Sequence, residues 1–256
     1  MPTLKENAKI WQELYDWSRA GDEWSEAWGG EDAQWYGVIL PRIQAFVTDA
    51  QGIARAQTIL EIAPGFGRWT KYLKGYCHRL MLVDLAPKCI EACRTRFAAD
   101  GHIEYHVNDG KSLAQIPDDA IDFLFSMDSL VHVEEDVIEA YLAQAAAKLT
   151  RTGIGFIHHS NLGAVKDRTG TPDHNRAGTM TADFFKRVAE QNGLRCLSQE
   201  LINWGGRGLI DSLSVFTRAD SAITAPYVRL ENPAFMDEAT FCRRRAALYG
   251  KHRLGR

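Results

Sequence analysis

The stretch Ile59-Leu60-Glu61-Ile62-Ala63-Pro64-Gly65-Phe66-Gly67 constrains this chain more than any other. An apolar run ends in small and turn-forming residues, and Arg68-Trp69-Thr70-Lys71-Tyr72-Leu73 then reads as a helix. The order is strand, glycine-rich turn, helix. Glycine lacks a Cβ, so the backbone of such a turn can come close to a bound ligand. The helix start adds free N–H groups and a positive dipole end. A dinucleotide site would carry G-x-G-x-x-G, but this pattern is Glu-x-Ala-x-Gly-x-Gly and lacks the final glycine.

Downstream, strands and helices alternate. Thr58–Ala63, Arg79–Val83, Ile103–Val107, Ala120–Phe125 and Gly153–His158 read as strands, and Pro87–Ala99 and Glu135–Leu149 as helices between them. This alternation predicts a parallel sheet covered on both faces. After a helix over Thr181–Gln191, with Thr181 as N-cap, two strands (Leu194–Ile202 and Leu209–Phe216) follow with only a glycine-rich loop between them. They predict an antiparallel last strand at the sheet edge. Residues 1–50 read as a helical N-terminal cap holding five of the seven tryptophans, with Trp35-Tyr36 the expected ligand neighbours. Residues 51–218 form the main domain, and 219–256 a C-terminal tail with a helix and a basic end.

Ligands of open α/β sheets sit beyond the carboxyl ends of the strands. This chain places chemistry at each: Glu61, Ala63, Gly65 and Gly67 after the first, Asp84-Leu85 after the second, Asp109-Gly110 after the third, and Ser126-Met127-Asp128 with His132 after the fourth. The series resembles that of the class I S-adenosylmethionine (SAM) methyltransferases, whose first motif is E/D-x-G-x-G-x-G; Ala63 departs from it at the first glycine. The resemblance spans roughly Gln57 to Arg218 and implies an α/β, Rossmann-like, seven-stranded sheet with an antiparallel last strand. It also implies SAM as cofactor, with Asp84 on the ribose hydroxyls, Asp109 on the adenine amino group, and Ser126-Met127 near the methionine part. NAD is the competing cofactor, opposed by the missing glycine and the C-terminal strand pair.

The acceptor must be read from the bases. A hydroxyl is a poor nucleophile until it loses its proton, so an enzyme methylating one places a histidine or carboxylate at the reacting oxygen. His132 is the expected base, Asp128 its orienting carboxylate, and His158 and His159 stand behind it. The loop from Asn161 to Thr179 is long and polar, which suits a lid over the acceptor. The segment Phe156-Ile157-His158-His159-Ser160-Asn161-Leu162 is similar to that of actinobacterial-type sugar O-methyltransferases, including those acting on mannosides of methylmannose polysaccharides. A sugar or glycan hydroxyl is therefore the expected acceptor; the alternatives are a non-sugar metabolite methylated on N or O, and a SAM-binding module without catalysis. Asp128, Asn161 and Asp173 are oxygens that leave room for Mg2+, and convergence of the histidines would instead favour zinc.

The net charge of −3 argues against a nucleic-acid binder, and no apolar run approaches a membrane span. Five cysteines without paired CxxC spacing fit a reducing cytoplasm. The partner expected is a small-molecule or oligosaccharide acceptor, with no nucleic acid and no membrane; the sequence leaves room for a homo-oligomer.

Overall fold

The computed structural model describes residues 3–19, 21–49, 51–54, 56–168, 175–205 and 208–250. Eight strands form one sheet: β1 (Ala56–Ile62), β2 (Cys77–Asp84), β3 (Ile103–Val107), β4 (Ile121–Ser126), β5 (Leu149–Ser160), β6 (Leu194–Ile202), β7 (Asp211–Arg218) and β8 (Val228–Asn232). Their order is β3-β2-β1-β4-β5-β7-β6-β8. The sheet is parallel except at β7, which is antiparallel to both β5 and β6. Two expectations are thereby corrected. The antiparallel strand lies inside the sheet rather than at its edge, and an eighth strand, parallel to β6, closes that side.

Eight α-helices accompany the sheet among the described residues: α1 (Leu4–Lys9), α2 (Glu31–Gln34), α3 (Leu40–Val47), α4 (Thr70–Leu73), α5 (Pro87–Arg96), α6 (Glu135–Lys148), α7 (Ala182–Gln191) and α8 (Phe235–Gly250). None is long and apolar enough to cross a membrane. Alternation along the strands splits the core in two. Ile59, Leu80 and Phe123 pack with Trp35, Ile43 and Phe235 on one face, while Leu60, Met81 and Leu124 pack with α6 and α7 on the other. Between α2 and α3 the helix widens to a π-helical stretch, Trp35–Ile39, just before Pro41. Proline offers no N–H to an α-helical ladder, and this local rewinding lets the chain pass it without a break.

Helix α4 is shorter than the sequence suggests, a single turn. It is held by Glu61, whose Oε2 accepts a hydrogen bond from the Thr70 hydroxyl at 2.6 Å. Glu61 is 2 % exposed. Burial, reinforced by the Asp84 charge and opposed by the Thr70 hydroxyl, pushes its carboxyl up to about 8, so it is folded in as the neutral acid. Above its ordinary value of 4.5 the unfolded chain releases this proton while the folded chain keeps it. Stability therefore falls as pH rises towards 8, with a slope of up to about 1.4 kcal/mol per pH unit from this group. Glu61→Gln keeps an acceptor for Thr70 and removes the proton. Urea unfolding at pH 5 and pH 8 should show the variant gaining on the parent at the higher pH. An identical pH dependence in both proteins would mean that Glu61 is ionised in the fold.

Candidate functional site

The turn after β1 is strained and tied down. Ala63 and Gly65 both have φ of 57° and Gly67 has φ of 85°, left-handed values that glycine adopts freely and alanine does not. Ala63 thus shows why a glycine suits this position, and its strain is held by neighbours. The Ala63 carbonyl accepts from the Ser129 hydroxyl at 2.8 Å, and the Ile62 carbonyl accepts from the Ser126 hydroxyl at 2.9 Å. These two bonds stitch the end of β1 to the last residue of β4 and to the loop after it. Asp84 completes the frame: one carboxylate oxygen accepts from the Gly65 N–H at 3.2 Å, the other from the Ala86 N–H at 2.8 Å. Burial raises its carboxyl to about 6 against the pull of these N–H groups.

A cavity opens above this frame. Ala63, Pro64, Gly65, Phe66, Asp84, Leu85, Gly110 and Met127 line it from below, and Leu4, Asn7, Trp11, Trp17 and Trp24 close it from the N-terminal segment. The cover is tight. A Cβ on Gly65 would lie 2.9 Å from the Trp17 ring, and one on Gly110 would lie 2.7 Å from the Leu4 side chain. Trp17 stacks on Phe66 at 4.3 Å between ring centroids.

Six of the expected cofactor residues line this cavity, and four lie elsewhere. Glu61 lies under the turn as described. Gly67 packs against Phe97, whose ring lies 2.5 Å from where a Cβ would stand, so its missing side chain serves helix packing. Ser126 is consumed in its bond to Ile62. Asp109 is exposed and caps its own turn, accepting from the Lys111 and Ser112 N–H groups, which hold its carboxyl below the usual range.

A second cavity adjoins the first. Ile10, Trp11, Tyr15, Trp24, Asn175, Arg176 and Trp204 line it together with Asp128 and His132. His132 and Asp128 line both cavities and so stand at their junction. His132 closes a short 3-10 turn, Leu130–His132. Its Nδ1 lies 3.2 Å from the Asn175 carbonyl, which can only accept, so Nδ1 carries the hydrogen and Nε2 the lone pair. Burial, helped by Arg176 and opposed by Asp128, lowers the imidazole below its ordinary value. Asp128 does not orient it by hydrogen bonding, contrary to expectation. With φ of 61° Asp128 leaves the helical path that would have aligned the two side chains, and its carboxylate pairs with Arg68 at 2.7 Å.

His158 and His159 point to opposite faces because neighbours on a strand alternate. His158 is fully buried beneath the second cavity. Its Nδ1 accepts from the Asp128 N–H at 3.1 Å, and its Nε2 lies 3.1 Å from Asp211, off the line of a straight hydrogen bond. Arg176 grips the same carboxylate with two bonds of 2.7 and 2.8 Å. Burial alone would raise Asp211, but Arg176 and His158 outweigh it and hold the carboxyl at about 2. His159 lies on the other face, stacked on Phe185, with Nδ1 near the Ser160 carbonyl and Nε2 near the Ser214 hydroxyl. Burial lowers it to about 4, and it takes no part in either cavity.

The expected tryptophan pair is also corrected. Trp35 is fully buried against Tyr72 and Tyr36 is 61 % exposed; neither lines either of these two cavities. Trp11, Trp17 and Trp24 do, with Arg68, Arg176 and Trp204, which the sequence did not single out. Their signal was faint: a tryptophan cluster in the first 28 residues and an arginine directly after Gly67. The residues do not fit a magnesium site. Asp128 is paired with Arg68, the Asn161 side chain bonds the Leu209 carbonyl and the Ala182 N–H, and among the described residues no three His, Cys, Asp or Glu side chains converge. Gly170, Asp173, His174 and the basic run Lys251-His252-Arg253 lie outside the described residues.

Residues 59–153 match the family model described as a methyltransferase domain. No curated protein matches the chain in sequence. Among solved structures, a SAM-dependent methyltransferase from Leishmania major shares 14 % identity at a TM-score of 0.61, covering 84 % of this chain and 82 % of that one. The PH0226 protein of Pyrococcus horikoshii shares 16 % at 0.55, covering 77 % and 98 %. A putative methyltransferase of Haloferax volcanii, solved with the Trm112 activator, shares 16 % at 0.55, covering 79 % and 96 %. At these identities the structures speak for the fold. The stretch 59–153 is similar to a methyltransferase domain, and the α/β, Rossmann-like architecture is the methyltransferase fold.

Proposed function

We propose that this domain transfers the methyl group of SAM to a hydroxyl of a sugar or similar polyhydroxylated molecule held in the second cavity. The backbone of Ala63–Phe66, with Asp84, Leu85, Gly110 and Met127, would hold the cofactor. Asp84 retains lone pairs for two ribose hydroxyls beyond the two N–H bonds it already accepts. Bound SAM supplies an electrophilic methyl on a sulfonium leaving group. The chain must then orient the acceptor and remove its proton.

One observation carries the reading: His132 stands where the two cavities meet, with Nδ1 pinned to the Asn175 carbonyl and the lone pair left on Nε2. A neutral imidazole fixed in this tautomer is suited to take a hydroxyl proton as the new carbon–oxygen bond forms. The walls support a sugar. Trp11, Trp24 and Trp204 give flat apolar faces, and Asn7, Asn175 and Arg176 give polar edges among them.

Methyl transfer from labelled SAM to a panel of sugars, lipids and amines tests the acceptor class. With the best acceptor, His132→Ala should lower turnover by about 100-fold or more while cofactor affinity stays within a few-fold. Near-parental turnover would remove His132 from the mechanism. Since the imidazole titrates below its ordinary value of 6.5, kcat/KM should rise with pH along a limb below 6.5 and be flat by neutrality. A limb above pH 7 would point to another base. Asp84→Asn should weaken S-adenosylhomocysteine binding by about 1–3 kcal/mol in calorimetry, with the fold checked by thermal unfolding; unchanged affinity would place the ribose elsewhere.

A further inference from the structure

Strand β8 closes one side of the sheet, and its outer edge is open. It pairs in parallel with β6, and among the described residues no strand pairs with it on the other side. Val228, Arg229, Leu230 and Glu231 are all exposed, Val228 at 56 % and Leu230 at 57 %. A free edge offers unpaired N–H and C=O groups to a further strand. Alternation puts Arg229 and Glu231 on one face of the strand and Val228 and Leu230 on the other. Arg229 is held in place on its face: Nη2 donates to Asp183 and Gln199, and Nε to the Tyr227 hydroxyl. Its Nη1 donates to nothing among the described residues, and the Glu231 carboxylate makes no hydrogen bond or ion pair with them.

The sequence of this edge selects its occupant. Pro226 and Pro233 bracket it, and proline has no N–H for a ladder, so pairing is confined to the residues between them. A second copy of the strand, related by a two-fold axis across the sheet, pairs antiparallel with one residue facing itself. Centred on Arg229, arginine faces arginine; centred on Glu231, glutamate faces glutamate; like charges directly opposite are unfavourable. Centred on Leu230, Arg229 of each copy faces Glu231 of the other, Leu230 meets Leu230, and Val228 meets Asn232. We infer that β8 is the edge at which two copies of this chain join, antiparallel about a two-fold axis at Leu230, so that two eight-stranded sheets run on as one. The charges of β8 are their own complement in this register, a symmetry that pairing with an unrelated peptide does not need. Five residues a side make a small interface, so the dimer forms reversibly with concentration.

Sedimentation velocity of the full chain over about 1–100 μM tests this, and a reversible dimer is expected. Arg229→Glu and Glu231→Arg each set like charges opposite in both symmetric pairs, and each should weaken dimerisation by about 10-fold or more. The double variant, or an equimolar mixture of the two single variants, sets opposite charges face to face again and should return association to within about threefold of the parent. If Arg229→Glu unfolds through loss of its Asp183 and Tyr227 contacts, Leu230→Lys, which sets two cations on the axis, should abolish the dimer in its place. A parent that stays monomeric throughout overturns the inference, as does a dimer that none of these substitutions weakens. Weakening by both single variants without recovery in the double variant or the mixture overturns the register, and the inference with it.

Discussion

The site depends on a backbone conformation that the chain would not adopt alone. Ala63, Gly65 and Gly67 all take left-handed values within five residues, and a non-glycine residue resists this by about 1–2 kcal/mol. The strain is sustained because the surroundings over-determine it. Asp84 ties the turn to the end of β2, and Ser126 and Ser129 tie it to the loop after β4. Three strand ends are thereby fixed against one another, and the first cavity is the space between them. Glu61 and Thr70 secure the turn from below, where a neutral carboxyl is tolerated and an ionised one is not.

From that frame the charges follow. Asp128 also has left-handed backbone, which turns its carboxylate to Arg68 and its N–H to His158. His158 leads to Asp211 and Arg176, and the neighbour of Arg176, Asn175, holds His132 in its tautomer. The buried ion pairs and histidines beneath the second cavity thus connect by contact to the residue proposed as base, and among the described histidines it is His132 that lines the two cavities. A fully buried His158, bonded to the Asp128 N–H through Nδ1 and close to Asp211 through Nε2, contributes by position.

The N-terminal segment supplies what the sheet cannot. Strand ends furnish acids and a glycine-bearing turn, but no large apolar wall. Trp11, Tyr15, Trp17 and Trp24 pack into one cluster with ring centroids 4.8 to 5.9 Å apart, which covers both cavities. Asn7 donates to the His132 carbonyl from the same segment and lines both spaces. The aromatic cover also keeps water from the Arg68 guanidinium, which strengthens any interaction made there.

The sequence by itself determined the sheet, the turn and the strand-end acids, because hydrophobic period, glycine and proline act within a few residues of one another. Ile59 to Gly67 could be read as strand and turn without any distant contact. It also held the alternation of Val228, Arg229, Leu230 and Glu231, but a short exposed edge strand buries too little to stand out from a tail. Which acids face a ligand was decided only in three dimensions. Asp84 and Asp109 both follow strands, yet one is sealed under the cavity and the other caps its own turn in solvent, a difference of packing and not of residue type. Likewise His158 and His159 are adjacent in the chain and on opposite faces of the sheet. The tryptophans of the N-terminal segment approach Gly65 and His132 across more than forty residues of sequence, and only the tertiary fold brings Trp11 and Trp17 there rather than Trp35. Local patterns fix local geometry; a site assembled from strand ends and a distant cover is fixed by the packing that joins them.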